Sequence, residues 1–206
     1  SQRIGDKQEE AVISFNLGHA YLEIPSIRDL TQADYWYKHC LELRDESDYL
    51  GRGKCQNQLG AISYQRFVEA RVANHPVDQL LNHLNTAIQF CFKALELLPS
   101  DAIDDLAVSH NTLGAIYAEV RDLDRGLPHW REAIRYHEAG NNFYNAGITR
   151  FNIALALYNA GRLEDALLYA QAALRNFERY SQGAAEMVQE TQRLILRIKD
   201  AIQRKT

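Results

Sequence analysis

Apolar residues recur at intervals of three and four along most of the chain, the period of a helix that buries one face. Breaks in the pattern divide it into nine predicted helices, over residues 6–23, 29–45, 48–74, 77–98, 102–120, 123–139, 142–160, 162–179 and 183–204. Pro76 and Pro99 fall between segments, where a residue lacking a backbone N–H ends one helix or opens the next. After Pro99, Ser100-Asp101 with Asp104 is a helix start rich in acids, which the helix dipole favours in a first turn. Gly140 and Gly161 stand where helices must turn sharply, and Ser181-Gln182-Gly183 reads as a turn before the last helix. In that helix Met187, Leu194, Ile195, Ile198 and Ile202 share one face, with Glu, Gln, Arg and Lys opposite. Such an amphipathic element ends a helical stack without leaving its core bare. The pattern predicts an all-α chain.

The segments also repeat. Leu17-Gly18 with Tyr21 is followed by Ala33, Tyr37 and Cys40; Leu59-Gly60 by Ala87, Cys91, Ala94 and Pro99. Leu113-Gly114 with Tyr117 is followed by Gly126, Trp130 and Ala133, and Ile153-Ala154 with Leu157 by Gly161, Ala166, Ala170 and Ala173. Each copy places its small and aromatic seats four and then three residues apart, on one helix face. The reading is a helix pair in which the Gly or Ala of the first helix lets the second approach closely and the neighbouring Leu or Ile fills the gap. This motif resembles the tetratricopeptide repeat. The resemblance implies a right-handed α-α superhelix (a TPR solenoid) of about nine helices. Residues 1–182 would hold four repeats (6–45, 48–98, 102–139 and 142–179), and 183–206 a C-terminal capping helix.

Repeat spacing narrows the resemblance. The small residues lie 42, 54 and 40 residues apart, against about 34 in the typical repeat. The longer spacing is similar to arrays in kinesin light chains, Leu-Gly-Asn-rich polarity adaptors and bacterial STAND or CHAT-linked signalling proteins. Arg3-Ile4-Gly5-Asp6 running into Glu9-Glu10-Ala11 resembles the join between two such repeats, which implies an earlier repeat and a longer parent protein. The second repeat carries an insertion around 66–83, expected either as two lengthened helices or as a protruding hairpin.

In such an array the first helix of each pair lines a concave groove. Positions three before, one after, and four and five after the small residue are then expected to face inward. The candidate groove residues on this register are His19, Asn57, Tyr64, Asn111, Glu119, Phe151, Tyr158 and Asn159, joined by Asn16, Gln58 and Asn152, the amides two before the small residue. Amides among aromatics suit an extended peptide, with side-chain amides bonding its backbone. A basic clamp for acidic chaperone tails is not expected, since Phe15 and Phe151 occupy its position.

Composition limits the alternatives. With 46% hydrophobic and 24% charged residues and a formal net charge of −4, the chain is neither disordered nor a strongly basic nucleic-acid binder. No apolar run reaches the length that crosses a bilayer, and three scattered cysteines point to a reducing, cytoplasmic setting. His75, His83 and Cys91 recur every eight residues, but that spacing leaves them about 80° apart on a helix, so no metal site is expected. Asp104-Asp105 is a first-turn acid pair, Cys40 and Cys91 are buried packing residues, and the basic patch Arg193, Arg197, Lys199, Arg204 and Lys205 has no aromatics to stack on bases. The expectation is a non-enzymatic module without cofactor, membrane or nucleic-acid partner. It would bind a protein or peptide, or other domains of its parent, as the sensor or scaffold of a signalling protein; the alternative is an array that self-assembles into homo-oligomers.

Overall fold

The computed structural model describes residues 2–180 and 182–204, with side chains from residue 6 onward except Gln182. Nine α-helices span the described residues: α1 (Gln2–Glu23), α2 (Leu30–Leu43), α3 (Tyr49–Val72), α4 (Val77–Leu97), α5 (Ile103–Glu119), α6 (Leu123–Ala139), α7 (Phe143–Asn159), α8 (Leu163–Phe177) and α9 (Ala185–Gln203). No strand occurs among the described residues, which are all-α, and α1 to α4 and α6 to α9 each pack consecutively as in a helical solenoid. No described helix is long and apolar enough to cross a membrane. Ser181 of the expected turn and Lys205 of the basic patch lie outside the described residues, as do Ser1 and Thr206.

Predicted bounds agree with the helices to within a few residues, with some local differences. Helix α1 already runs from Gln2, and short 3-10 turns occupy Pro25–Ile27 and Gln182–Ala184. Gly161 takes the left-handed backbone, with φ of 75°, but Gly140 does not: its φ is −84°, and the left-handed residue is Asn141 at 57°. The second repeat contains no separate hairpin. Its extra residues lengthen α3 to 24 residues and α4 to 21, joined by the four residues 73–76.

Two compact units divide the chain at residues 1–112 and 113–206, the boundary falling inside α5. In the first, Gly18 meets the Tyr37 ring, to which a Cβ would come within 3.0 Å, and Gly60 meets Cys91, whose Sγ would be 2.9 Å away. Tyr37 in turn packs edge-on against Phe15, with ring centroids 5.2 Å apart, above a core that includes Leu59 and Ile62. Asp29 caps α2 by accepting from the N–H groups of Thr31 at 2.8 Å and Gln32 at 3.1 Å.

The second unit repeats the device. A Cβ at Gly114 would lie 2.5 Å from the Trp130 ring, and Ala154 and Ala170 are buried in one core. The small-residue seats read from the sequence are therefore contacts between paired helices. Leu194, Ile195 and Ile198 of α9 are buried in that same core, with Met187 and Ile202 partly buried, so α9 covers the end of this unit as the amphipathic pattern predicts.

Candidate interaction face

Seating the small residue against its partner helix fixes which way every other side chain of the first helix points. Each residue advances about 100° around the axis. Positions two before, one after, five after and six before the small residue then fall about 100–160° from it, on the side away from the partner. In α1 these are Asn16, His19, Glu23 and Val12, all exposed. In α3 they are Gln58, Ala61, Gln65 and Lys54, and in α5 Thr112, Ala115, Glu119 and Val108. In α7 they are Asn152, Leu155, Asn159 and Ile148. None of the sixteen is buried. Seven of them are exposed: Val12, Asn16, His19 and Glu23 of α1, Val108 of α5, and Leu155 and Asn159 of α7. The rest are half-buried, with Ala115 and Ile148 packed against apolar clusters and Lys54 paired with Asp105 at 3.7 Å.

The positions three before and four after the small residue behave differently, and this corrects part of the expected set. They lie only about 40–60° from it, toward the neighbouring helices. Asn57 is buried; its Nδ2 donates to the backbone oxygen of Asp105 at 2.8 Å and its Oδ1 accepts from Ser109 Oγ. Both ends of the amide are occupied in tying α3 to α5, so Asn57 is a structural residue and leaves the ligand set. Phe151 is half-buried between two apolar clusters. Tyr158 packs against one of them with the Arg197 guanidinium 5.2 Å over its ring. Tyr64 is half-buried and stacked on Phe67, centroids 6.0 Å apart, and Asn111 is half-buried at the same register as Asn57. Asn16, His19 and Asn159 are exposed, while Gln58, Glu119 and Asn152 are half-exposed on the open stripe. The residues expected to form one groove divide between the two units.

The second unit also holds a cleft that the sequence reading did not mark. About 190 Å³ in volume, it is lined by Glu138, Phe143, Arg150, Ala172, Arg175, Asn176 and Arg179. Arg150 is committed internally, donating to Asn176 Oδ1 at 2.8 Å and Glu138 Oε1 at 2.6 Å, and Arg179 lies 4.8 Å over the Phe143 ring. No signal in sequence joins residues from three helix ends in this way. Among the described residues no three His, Cys, Asp or Glu side chains gather as a metal site. His75 bonds Gln79 at 3.1 Å, and burial pushes the Cys91 thiol up to about 12.

No protein-family model matches the chain, and no curated protein matches it. Among solved structures, the chain is similar to the crystal structure of BtubC (BKLC) from P. vanneervenii, with a TM-score of 0.69 and 14% identity over 97% of this chain and 84% of that one. At this identity the likeness is one of fold.

Proposed function

We propose that the chain is a protein-interaction module of the tetratricopeptide type, holding an extended peptide or a partner domain on the open stripes of its first helices. The observation that carries this reading is the solvent-accessible stripe on α1 and, separately, on α7, where amide groups stand beside apolar ones. An extended peptide needs both: partners for its backbone N–H and C=O, and apolar seats for alternate side chains. No catalytic role is assigned to any residue, and the resemblance to long-repeat arrays favours a sensor or scaffold within a larger signalling protein.

The test uses four solvent-accessible positions whose loss leaves the core intact. Peptides selected from a display library on the intact chain are measured against Asn16→Ala/His19→Ala/Asn152→Ala/Asn159→Ala. Binding at least about tenfold weaker, a loss of roughly 1.4 kcal/mol, is expected at an unchanged melting temperature. Unchanged affinity would remove the stripe from the function.

One observation supports the alternative of self-assembly. At the far end of the α3–α4 pair Val72, Val77 and Leu81 are 76%, 68% and 46% exposed, an apolar tip available to a second copy. A dimer in light scattering that Leu81→Asp converts to monomer would favour that reading.

A further inference from the structure

Two thiols meet where α2 hands over to α3. Cys40 Sγ and Cys55 Sγ are 3.0 Å apart, both side chains fully buried with Ala11 of α1 beside them. Arg44, one turn beyond Cys40, donates Nε–H to Cys40 Sγ at 3.3 Å, while its Nη1 pairs with Asp48 Oδ2 at 2.5 Å. Asp48 is fixed in turn as the cap of α3, accepting from Gly51 N–H at 2.9 Å. The guanidinium is thus held between a sulfur and a carboxylate, with 17% of its side chain exposed. No buried apolar packing requires such an arrangement, and Cys91, packed alone against Gly60, lacks it.

We infer that Cys40 and Cys55 form a redox-modifiable site, closing to a disulfide between α2 and α3 under peroxide, with Arg44 positioning the Cys40 thiolate as the attacking sulfur. The disulfide length is about 2.05 Å, so closing the pair takes side-chain movement of about 1 Å. In the first step the Cys40 thiolate attacks one oxygen of hydrogen peroxide, breaking the O–O bond and giving Cys40 sulfenic acid and hydroxide. In the second, Cys55 attacks the sulfenyl sulfur; its proton and the departing hydroxyl leave as water. Two thiols are oxidised and one peroxide is reduced to two waters. Dithiothreitol reverses the change by thiol–disulfide exchange.

The charged and titratable groups facing the pair agree with this order. Hydrogen bonding from Cys55, then the Arg44 guanidinium, holds the Cys40 thiol below the ordinary thiol range, against burial and the nearby Asp48 carboxylate. The Cys55 thiol is pushed up, by its bond to Cys40 and by burial. Tyr37, near both sulfurs, has its ionisation pushed up by burial and stays neutral. Peroxide reaches the pair when the 44–48 turn opens locally, so reaction is slower than at an exposed thiol but selective for one pair.

The experiment treats the intact native chain with hydrogen peroxide and follows whole-protein mass and peptide maps. The expected result is loss of two hydrogens, a linked Cys40–Cys55 peptide, full reversal by dithiothreitol and a melting temperature several degrees higher when oxidised. In Cys55→Ala, which keeps a small apolar residue in the seat, dimedone traps sulfenic acid on Cys40. In Arg44→Gln the pH at which the rate is half-maximal moves up from that of the native chain. Earlier modification of Cys91, linkage between chains, or no dimedone adduct on folded Cys55→Ala would overturn the site. An unmoved rate profile in folded Arg44→Gln would overturn the role given to Arg44.

Discussion

Three consecutive turns in the second half of the chain rest on single residues in the left-handed region: Arg121 at φ 60°, Asn141 at 57° and Gly161 at 75°. Each is followed by an N–H that reaches back over the helix end: Asp122 to Tyr117 O at 2.8 Å, Asn142 to His137 O at 2.8 Å and Arg162 to Leu157 O at 2.9 Å. Only glycine adopts that backbone freely; for other residues it costs roughly 1–2 kcal/mol. Arg121→Gly is therefore expected to stabilise the chain toward urea by up to about 1 kcal/mol, and Gly161→Ala to destabilise it by about as much. A fall in stability for Arg121→Gly would mean that the arginine side chain itself holds the turn. Gly161 was legible in sequence because glycine advertises this backbone. Arg121 was not, since arginine does not favour this backbone; like Asn141, it adopts it where the next N–H closes back over the helix end. Burial also lowers the pKa of His129, stacked on Tyr117 with centroids 5.7 Å apart. Its neutral form is favoured in the fold, so its contribution is complete above its ordinary value of about 6.5 and is lost as pH falls from there through the depressed value. In urea titrations at stepped pH, His129→Gln is expected to flatten that part of the decline; an unchanged slope would place the loss elsewhere, as at His83, whose pKa burial also lowers.

At the scale of helices, the fold depends on close approach at the small-residue seats. Gly114 has no room for a methyl group, its Cβ position being 2.5 Å from the Trp130 ring. Gly114→Ala gains about 1 kcal/mol of helix propensity but overpacks the pair, and a net loss of about 1–2 kcal/mol in chemical denaturation is expected. Trp130→Ala leaves a cavity where a ring only 2% exposed had been, at a cost of about 3–5 kcal/mol. Combined as Gly114→Ala/Trp130→Leu, the two changes should cost less than their sum, because removing the ring removes the clash; strict additivity would mean that the seats are not contacts. These pairs were readable because Gly, Ala and Trp recur at fixed intervals. The α3–α5 tie was not readable: Asn57 meets Ser109 from 52 residues away, and an amide that far from its partner looks like any surface amide. Asn57→Ala should cost about 1–3 kcal/mol by stranding buried polar groups, where loss of a groove contact would leave stability unchanged.

For the molecule as a whole, helix count, order and the terminal cover of α9 followed from periodicity alone, because apolar spacing records which face is buried. The candidate face was legible only in part. Asn16, His19, Gln58, Asn152 and Asn159 remain on it, while Asn57, Phe151 and Tyr158 turn inward, a difference of one or two residues in register and so of about 100° or more around the axis. The division into residues 1–112 and 113–206 left no mark in sequence, since α5 runs through it as one uninterrupted helix. Binding on the open stripes is the central claim, and amide NMR of the isotopically labelled chain titrated with a selected peptide tests it most directly. The account predicts shift changes concentrated at Val12, Asn16, His19 and Gln58 in the first unit or at Asn152, Leu155 and Asn159 in the second. Changes confined to α2 and α8, to the Arg150–Arg179 cleft, or to the Val72–Leu81 tip would contradict it.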